Sequence, residues 1–282
     1  MLTYAAPVGL AAQGETIVQR AGVINIGLEG TMLMAAYVAM KVSASTGSPF
    51  LGMAAGLAAG VAVSLFSALF TVLLGADQVV VGTAVNLGAL GATSTMFQAE
   101  FGRSGQLLSV PGLPDWLPRL DLGTCILLLW PIVATWFLWK TGAGLVLRGA
   151  GEVPAAVEAA GSSAVRTRLF AVAVGGALAG LAGAYLAVGI AGTFVENITA
   201  GRGFVAIAMV TFGRLKPWWV LVASLVVSVA EQMQFSLQGL GLGVSPQLFV
   251  AMPYAVALLV LVIAGKGTRL PAALGRPYRR VS

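Results

Sequence analysis

At 282 residues, with 58% hydrophobic and 9% charged residues, a mean hydropathy of +0.93 and 37 glycines, this chain excludes a soluble globular domain, which carries about a quarter charged residues. The net charge of +6 would point to nucleic acid in a soluble protein, but here it is topogenic: Lys266, Arg269, Arg276, Arg279 and Arg280 crowd the end of the chain, which places that tail in the cytoplasm and leaves no role for nucleic acid. The absence of histidine, and a single Cys125 in an apolar run, exclude imidazole metal sites, histidine acid–base catalysis, a disulfide and a metal cluster.

The first residues lack a basic n-region and a small-residue cleavage site, so no signal peptide is expected. Leu2 to Ala12 is apolar, is interrupted by Pro7 and Gly9, and runs into Gln13-Gly14-Glu15; it is short for a span of about twenty residues. The next stretch, QRAGVINIGLEGTMLMAAYVAM, reads as a helix with a polar start that ends near Lys41. That reading sets Asn25 and Glu29 four apart on one face, with Gly22, Gly27 and Gly30 keeping the neighbourhood narrow. Such groups in lipid face protein or water, or else Glu29 sits at the membrane edge.

Ser43 to Pro49 reads as a loop, Phe50 to Leu74 as a span, and Gly75-Ala76-Asp77 as the turn into QVVVGTAVNLGALGATSTMF. Asn86 lies in mid-membrane there, either bonding a neighbouring helix or touching solute. Glu100 to Asp121 is a polar loop with Pro111, Pro114 and Pro118, in which Trp116 is an interfacial anchor. Leu122 to Trp139 spans again, and Lys140 marks its cytoplasmic end.

Between Arg148 and Arg168 lies a polar, Ala-rich island, RGAGEVPAAVEAAGSSAVRTR. Pro154 suits the first helical position, with Glu152 ahead of it to favour the positive helix end. Ala155, Ala156, Ala159 and Ala160 are strong helix formers flanking Glu158, and Gly161 is a natural stop. A helix of roughly two turns is too short to stand alone and requires a partner surface. The plainer reading is a cytoplasmic loop with a helical turn.

Leu169 to Ile190, Trp218 to about Gln238 and Leu248 to Ala264 are further spans. Lys140, Arg148, Arg166 and Arg168 place the island inside, as the basic tail is, so an even number of crossings separates them. Only three spans are obvious, so 192–216, GTFVENITAGRGFVAIAMVTFGRLK, must cross too. Its apolar part runs only from Phe204 to Phe212, which implies a half-helix preceded by a re-entrant segment, with Glu196, Asn197, Thr199 and Arg202 near the break. The fold expected is an all-α polytopic membrane protein of about eight or nine passes, one of them broken. Asn25, Glu29, Asn86, Glu196 and Asn197 are the candidate solute-path residues, while Phe194, Phe204 and Phe212 read as packing or lipid contacts.

The chain resembles the permease subunits of bacterial ABC importers of the branched-chain amino acid, ribose and nucleoside group, most of all the shorter permease of nucleoside-type systems. Four stretches carry the resemblance in family order: QRAGVINIGLEG, with Gln19 where relatives are expected to have an acidic residue; VVGTAVNLGALG; the GE-x-P-x-A-x-EAAG island; and ENITAGRGFVAIAMVTFGR, followed by PQLFVAMPYAVALLVLV. The resemblance implies a single transmembrane permease domain over 1–282 in the bacterial inner membrane, with a cytoplasmic coupling loop at about 140–168 and a tail at about 265–282. Glu152, Pro154, Ala155, Ala156, Glu158, Ala159, Ala160 and Gly161 would form the coupling helix. It implies a partner ATPase that uses ATP and Mg, a second related permease, and a periplasmic or lipid-anchored solute-binding protein. This chain itself would bind no cofactor and is not expected to be an enzyme; it has no phosphate-binding glycine loop with its lysine.

Permeases for simple sugars or branched-chain amino acids are the nearest alternatives. A stand-alone secondary transporter would bury titratable groups in mid-membrane; this chain offers few, Glu29 and Glu231, each read near a membrane edge and without an obvious basic partner. A membrane enzyme would need a nucleophile or clustered carboxylates, which are missing.

Overall fold

The computed structural model describes residues 2–102, 113, 121–239, 255 and 269–278, and every regular element among them is helical. The order is α1 (Leu2–Arg20), α2 (Leu28–Thr46), α3 (Pro49–Ala68, continued by a π-helical turn, Leu69–Leu73), α4 (Gln78–Phe101), α5 (Leu122–Lys140), α6 (Gly142–Glu152), α7 (Pro154–Ala159), α8 (Ala164–Ala184, continued by Tyr185–Ala191), α9 (Arg202–Phe212) and α10 (Pro217–Gly239). The span expected at Leu248 to Ala264, the loop around Trp116, and Lys266, Arg279 and Arg280 lie outside the described residues.

Among the described residues, four helices are long and apolar enough to cross a membrane: Pro49–Leu73, Gln78–Phe101, Leu122–Lys140 and Ala164–Ala191. Polar caps set where several begin. Ser48, Asp77, Asp121 and Ser163 each accept a backbone N–H from the first turn of α3, α4, α5 and α8, and Thr141 does so for α6.

Helix α8 is the spine of the bundle, and its glycines explain why. A β-carbon on Gly176 would meet Ser64 and the Gly60 carbonyl, one on Gly180 would meet the Gly56 carbonyl, and one on Gly183 would collide with the Met32 carbonyl. A β-carbon on Gly14 of α1 would likewise strike the Gly175 backbone. Helices α1, α2 and α3 therefore reach α8 backbone to backbone, the packing that replaces a hydrophobic driving force in lipid. Exposed apolar side chains such as Leu87, Ile132 and Trp136 point outward from α4 and α5.

Helix α1 is buried from Ala5 to Gln19, enclosed by α5, α8, α9 and α10. The polar residues Gln13, Glu15, Thr16 and Gln19 thus lie inside, and Pro7 is carried within the helix rather than breaking it. Near a helix start proline forfeits a single backbone bond.

Two expectations are corrected. Residues 21–27 are not helical: Gly22 takes a left-handed φ of 87° and α2 begins only at Leu28, so Asn25 and Glu29 do not share a helical face. The island holds two helices rather than one, because α6 precedes α7 and Glu152 ends α6. The stretch at 192–201 is irregular and α9 has 11 residues, roughly 16 Å of helix and too short to cross alone.

Candidate functional site

The irregular stretch ahead of α9 is built around Glu29. Its Oε1 accepts hydrogen bonds from the Thr199 hydroxyl at 2.5 Å and Gly201 N at 2.8 Å, and its Oε2 accepts from Gly203 N at 2.6 Å. A carboxylate at the first turn of α2 thereby caps the positive end of α9, satisfying N–H groups that lipid cannot. The turn it holds is strained: Asn197 and Ala200 adopt φ of 57° and 45° beside Gly201 at 84°, at about 1–2 kcal/mol for a side-chain-bearing residue. Gly203 has to be glycine, since a β-carbon there would lie 2.6 Å from the Glu29 backbone.

Beside this cap is a cavity of about 310 Å³ lined by Glu29, Leu33, Thr83, Asn86, Leu87, Leu90, Asn197, Gly201 and Phe204. Three of the five expected path residues, Glu29, Asn86 and Asn197, meet there. Asn86 is also a strut: its Oδ1 accepts from Gly30 N at 2.8 Å and its Nδ2 donates to the Ile26 carbonyl at 2.9 Å. One lone pair and one N–H of the carboxamide remain for another partner. A larger groove of about 470 Å³, between α3 and α4, is lined by apolar residues such as Phe66, Phe70 and Val80.

The other two candidates are placed elsewhere. Asn25 is buried, with its backbone N–H donated to Glu15 Oε1 at 3.1 Å, and it does not line the cavity. Glu196 is exposed and accepts from Gln98 Nε2 at 2.8 Å. Glu231 has the basic partner that its sequence context hid, lying 3.6 Å from Arg202. Of the three phenylalanines, Phe194 is buried against Tyr37 and Phe97, and Phe212 is buried in the main core. Phe204, read as a packing or lipid contact, is 50% exposed and also lines the cavity. Thr83 escaped notice because a threonine in an apolar helix carries no signal of its own.

The second candidate surface is α7. It starts on Pro154 and closes with Gly161 at φ 81°, where Ser162 N bonds the Val157 carbonyl and Gly161 N bonds the Glu158 carbonyl. That pair of bonds is a Schellman stop. Val157 is buried against Ala150 and Ala164, while Ala155, Ala156, Ala159 and Ala160 face outward. Glu152 does not serve α7; its carboxylate accepts from Ala272 N at 3.2 Å.

Between the two surfaces runs the 21–27 loop, held from several sides. Gln78 accepts from Ile24 N, Glu15 from Asn25 N, and Asn86 donates to Ile26. Arg168, which its sequence position marks only as topogenic, is buried and donates to the Ala21 carbonyl. No group of metal-ligating side chains occurs among the described residues.

Comparison with known proteins gives this architecture a family. The chain is 33% identical to the guanosine ABC transporter permease protein NupQ of Bacillus subtilis, over 98% of this chain and 94% of that protein. It is 31% identical to TsgC13 of Haloferax volcanii, a permease protein provisionally named for glucose ABC transport, over 96% and 93%. It is 29% identical to the nucleoside ABC transporter permease protein NupC of Lactococcus lactis subsp. cremoris, over 99% and 95%. No solved structure matches it. The family model described as branched-chain amino acid transport system / permease component matches residues 1–264, and with that match the chain belongs to the ABC transporter permeases, multi-pass membrane proteins that are transport components and not enzymes.

Proposed function

We propose that this chain is the shorter permease of an ATP-driven importer for nucleosides or related sugar-containing solutes, passing them by alternating access. The observation that carries the reading is the cavity beside the break. Both Glu29 oxygens are engaged by the α9 cap, so the polar groups that remain for a solute are the neutral ones of Asn86, Asn197 and Thr83, with one aromatic face, Phe204. Such a lining suits a neutral solute with hydroxyls to exchange and a ring to brush against, and it suits an amino-acid zwitterion poorly. The names of NupQ and NupC support nucleosides. The name of TsgC13 favours the second reading, a simple sugar.

In this reading the domain spans the whole of 1–282 with about eight or nine passes, α9 being the half-helix of a broken one, and the tail and α7 face the cytoplasm. Helix α7 rests in a groove of a separate ATPase that uses ATP and Mg. A solute-binding protein outside delivers the solute, and a second, related permease completes the path. The test is uptake of labelled guanosine by the reconstituted complex. Excess adenosine is expected to compete, and glucose and leucine are not. Competition by glucose alone would establish the sugar reading, and competition by leucine would overturn both.

A further inference from the structure

The residues that close the cytoplasmic end raise a question the transport reading does not answer: what makes α7 move with the membrane helices rather than hinge on its own? In a helix of six residues Val157 is the buried side chain, so contacts from neighbouring segments decide what α7 moves with. The described part of the tail supplies such contacts. Ala273 N bonds the Gly151 carbonyl at 2.9 Å, Ala272 N bonds the Glu152 carboxylate, and Gly275 N bonds the Gly22 carbonyl at 3.2 Å. Tyr278 packs on the small cluster that holds Val157. The strap therefore ties the end of α6 to the 21–27 loop, two segments about 130 positions apart in the chain that have no covalent reason to move together.

Arg168 joins the same three segments from the inside. Its guanidinium donates to the carbonyls of Ala21 at 3.2 Å, Ala150 at 3.3 Å and Arg276 at 3.1 Å, one each from the loop, α6 and the strap. A planar fork of fixed donors reaches three such acceptors at once, whereas an ammonium on a flexible stem does not. Loop and α6 also touch directly. A β-carbon on Gly22 would lie 3.0 Å from the Gly151 α-carbon, and one on Gly151 would collide with the Arg20 carbonyl. Beyond the loop the connection continues through Gly30 and Ile26 to Asn86, and through Glu29 to α9.

We propose that the strap at 269–278 and Arg168 form a brace that makes α6, α7 and the 21–27 loop one rigid body, so that a displacement of α7 arrives at the broken helix instead of being absorbed at the hinge between α6 and α7. The inference rests on α7 being the coupling helix. Arg168 and Tyr278 are positioning residues in it; neither touches solute.

The test measures solute imported per ATP hydrolysed by the assembled transporter in vesicles. Tyr278→Ala and Arg168→Lys are expected to keep ATPase association and ATP hydrolysis near wild type. Imported solute per ATP falls by about tenfold, which corresponds to about 1.4 kcal/mol of lost coupling. Unchanged solute per ATP in both variants would overturn the brace. Should Arg168→Lys assemble poorly, a short thiol cross-linker between Glu152→Cys and Ala272→Cys, in a Cys125→Ala background, gives the second reading. Cross-linking is expected to leave transport as it was in the uncrosslinked pair, because the joined segments already move together; a block would overturn the proposal. Failure of the coupling assignment looks different: Ala159→Trp would then leave ATPase association and uptake untouched.

Discussion

Two hydrogen-bonded clusters among the described residues solve opposite halves of one problem. At the break, a carboxylate from α2 collects donors, the Thr199 hydroxyl and the N–H groups of Gly201 and Gly203. At the other place, the Arg168 guanidinium collects acceptors, the carbonyls of Ala21, Ala150 and Arg276. In each, an irregular backbone meets a non-aqueous interior, and its unpaired groups cost several kcal/mol apiece, roughly, unless something internal takes the place of water. A charged side chain does that better than a neutral one because each bond to it is worth about 1.5–3 kcal/mol. Buried charge in a transporter therefore does not by itself mark a solute or ion site: Glu29 and Arg168 are spent on backbone, and the groups left to face the cavity are uncharged amides and a hydroxyl.

If that contrast is right, the largest effect comes from removing the anion. Glu29→Leu strands all three donors and is expected to cost more than about 3 kcal/mol, seen as loss of the folded permease from membranes. Glu29→Gln keeps one acceptor oxygen and is expected to fall between, with a lower melting temperature in detergent and slowed uptake. A Gln variant as stable and active as wild type would mean the α9 cap is dispensable.

A smaller effect is expected where the loop meets the island. Gly151→Ala pushes a methyl into the Arg20 carbonyl, an overpacking cost of about 1–3 kcal/mol, readable as a drop in melting temperature with ATPase association retained. Gly161→Ala instead loses only the left-handed stop of α7, where a β-carbon meets open space, at about 1 kcal/mol. The two together separate close approach from backbone conformation.

Asn86→Leu removes the strut to Gly30 and Ile26, leaving an N–H and a carbonyl unpaired for about 1–3 kcal/mol. Slowed uptake with ATP hydrolysis by the complex retained is the expected outcome. Normal transport by Asn86→Leu would leave Asn86 a purely structural residue and turn attention to Asn197 and Thr83. The smallest effect belongs to Glu196→Gln, exposed and outside the cavity lining, where uptake and melting temperature should not change; a clear loss of uptake would extend the solute path past Gln98.

What the amino-acid sequence settled was whatever depends on neighbours in the chain. Hydropathy placed α3, α5 and α10 to within about a residue and α4 and α8 to within about five residues at one end, because an apolar helix is bounded by its own sequence, while its polar first or last turn is not marked by hydropathy. The pairing of Pro154 with Gly161 bounded α7, since both ends are local backbone chemistry. The shortness of the apolar run from Phe204 to Phe212, after a polar stretch, marked the irregular segment near Asn197, because such a run is too short for a full span. Tertiary structure alone decided which polar groups meet. Glu29 finds its N–H partners more than 170 residues away, and Arg168 finds a loop 147 residues upstream; no periodicity encodes such pairs. Asn25 and Glu29 were separated by the same cause, because the 21–27 loop exchanges its helical bonds for Glu15, Gln78, Asn86 and Arg168, partners that exist only once the bundle has closed around it.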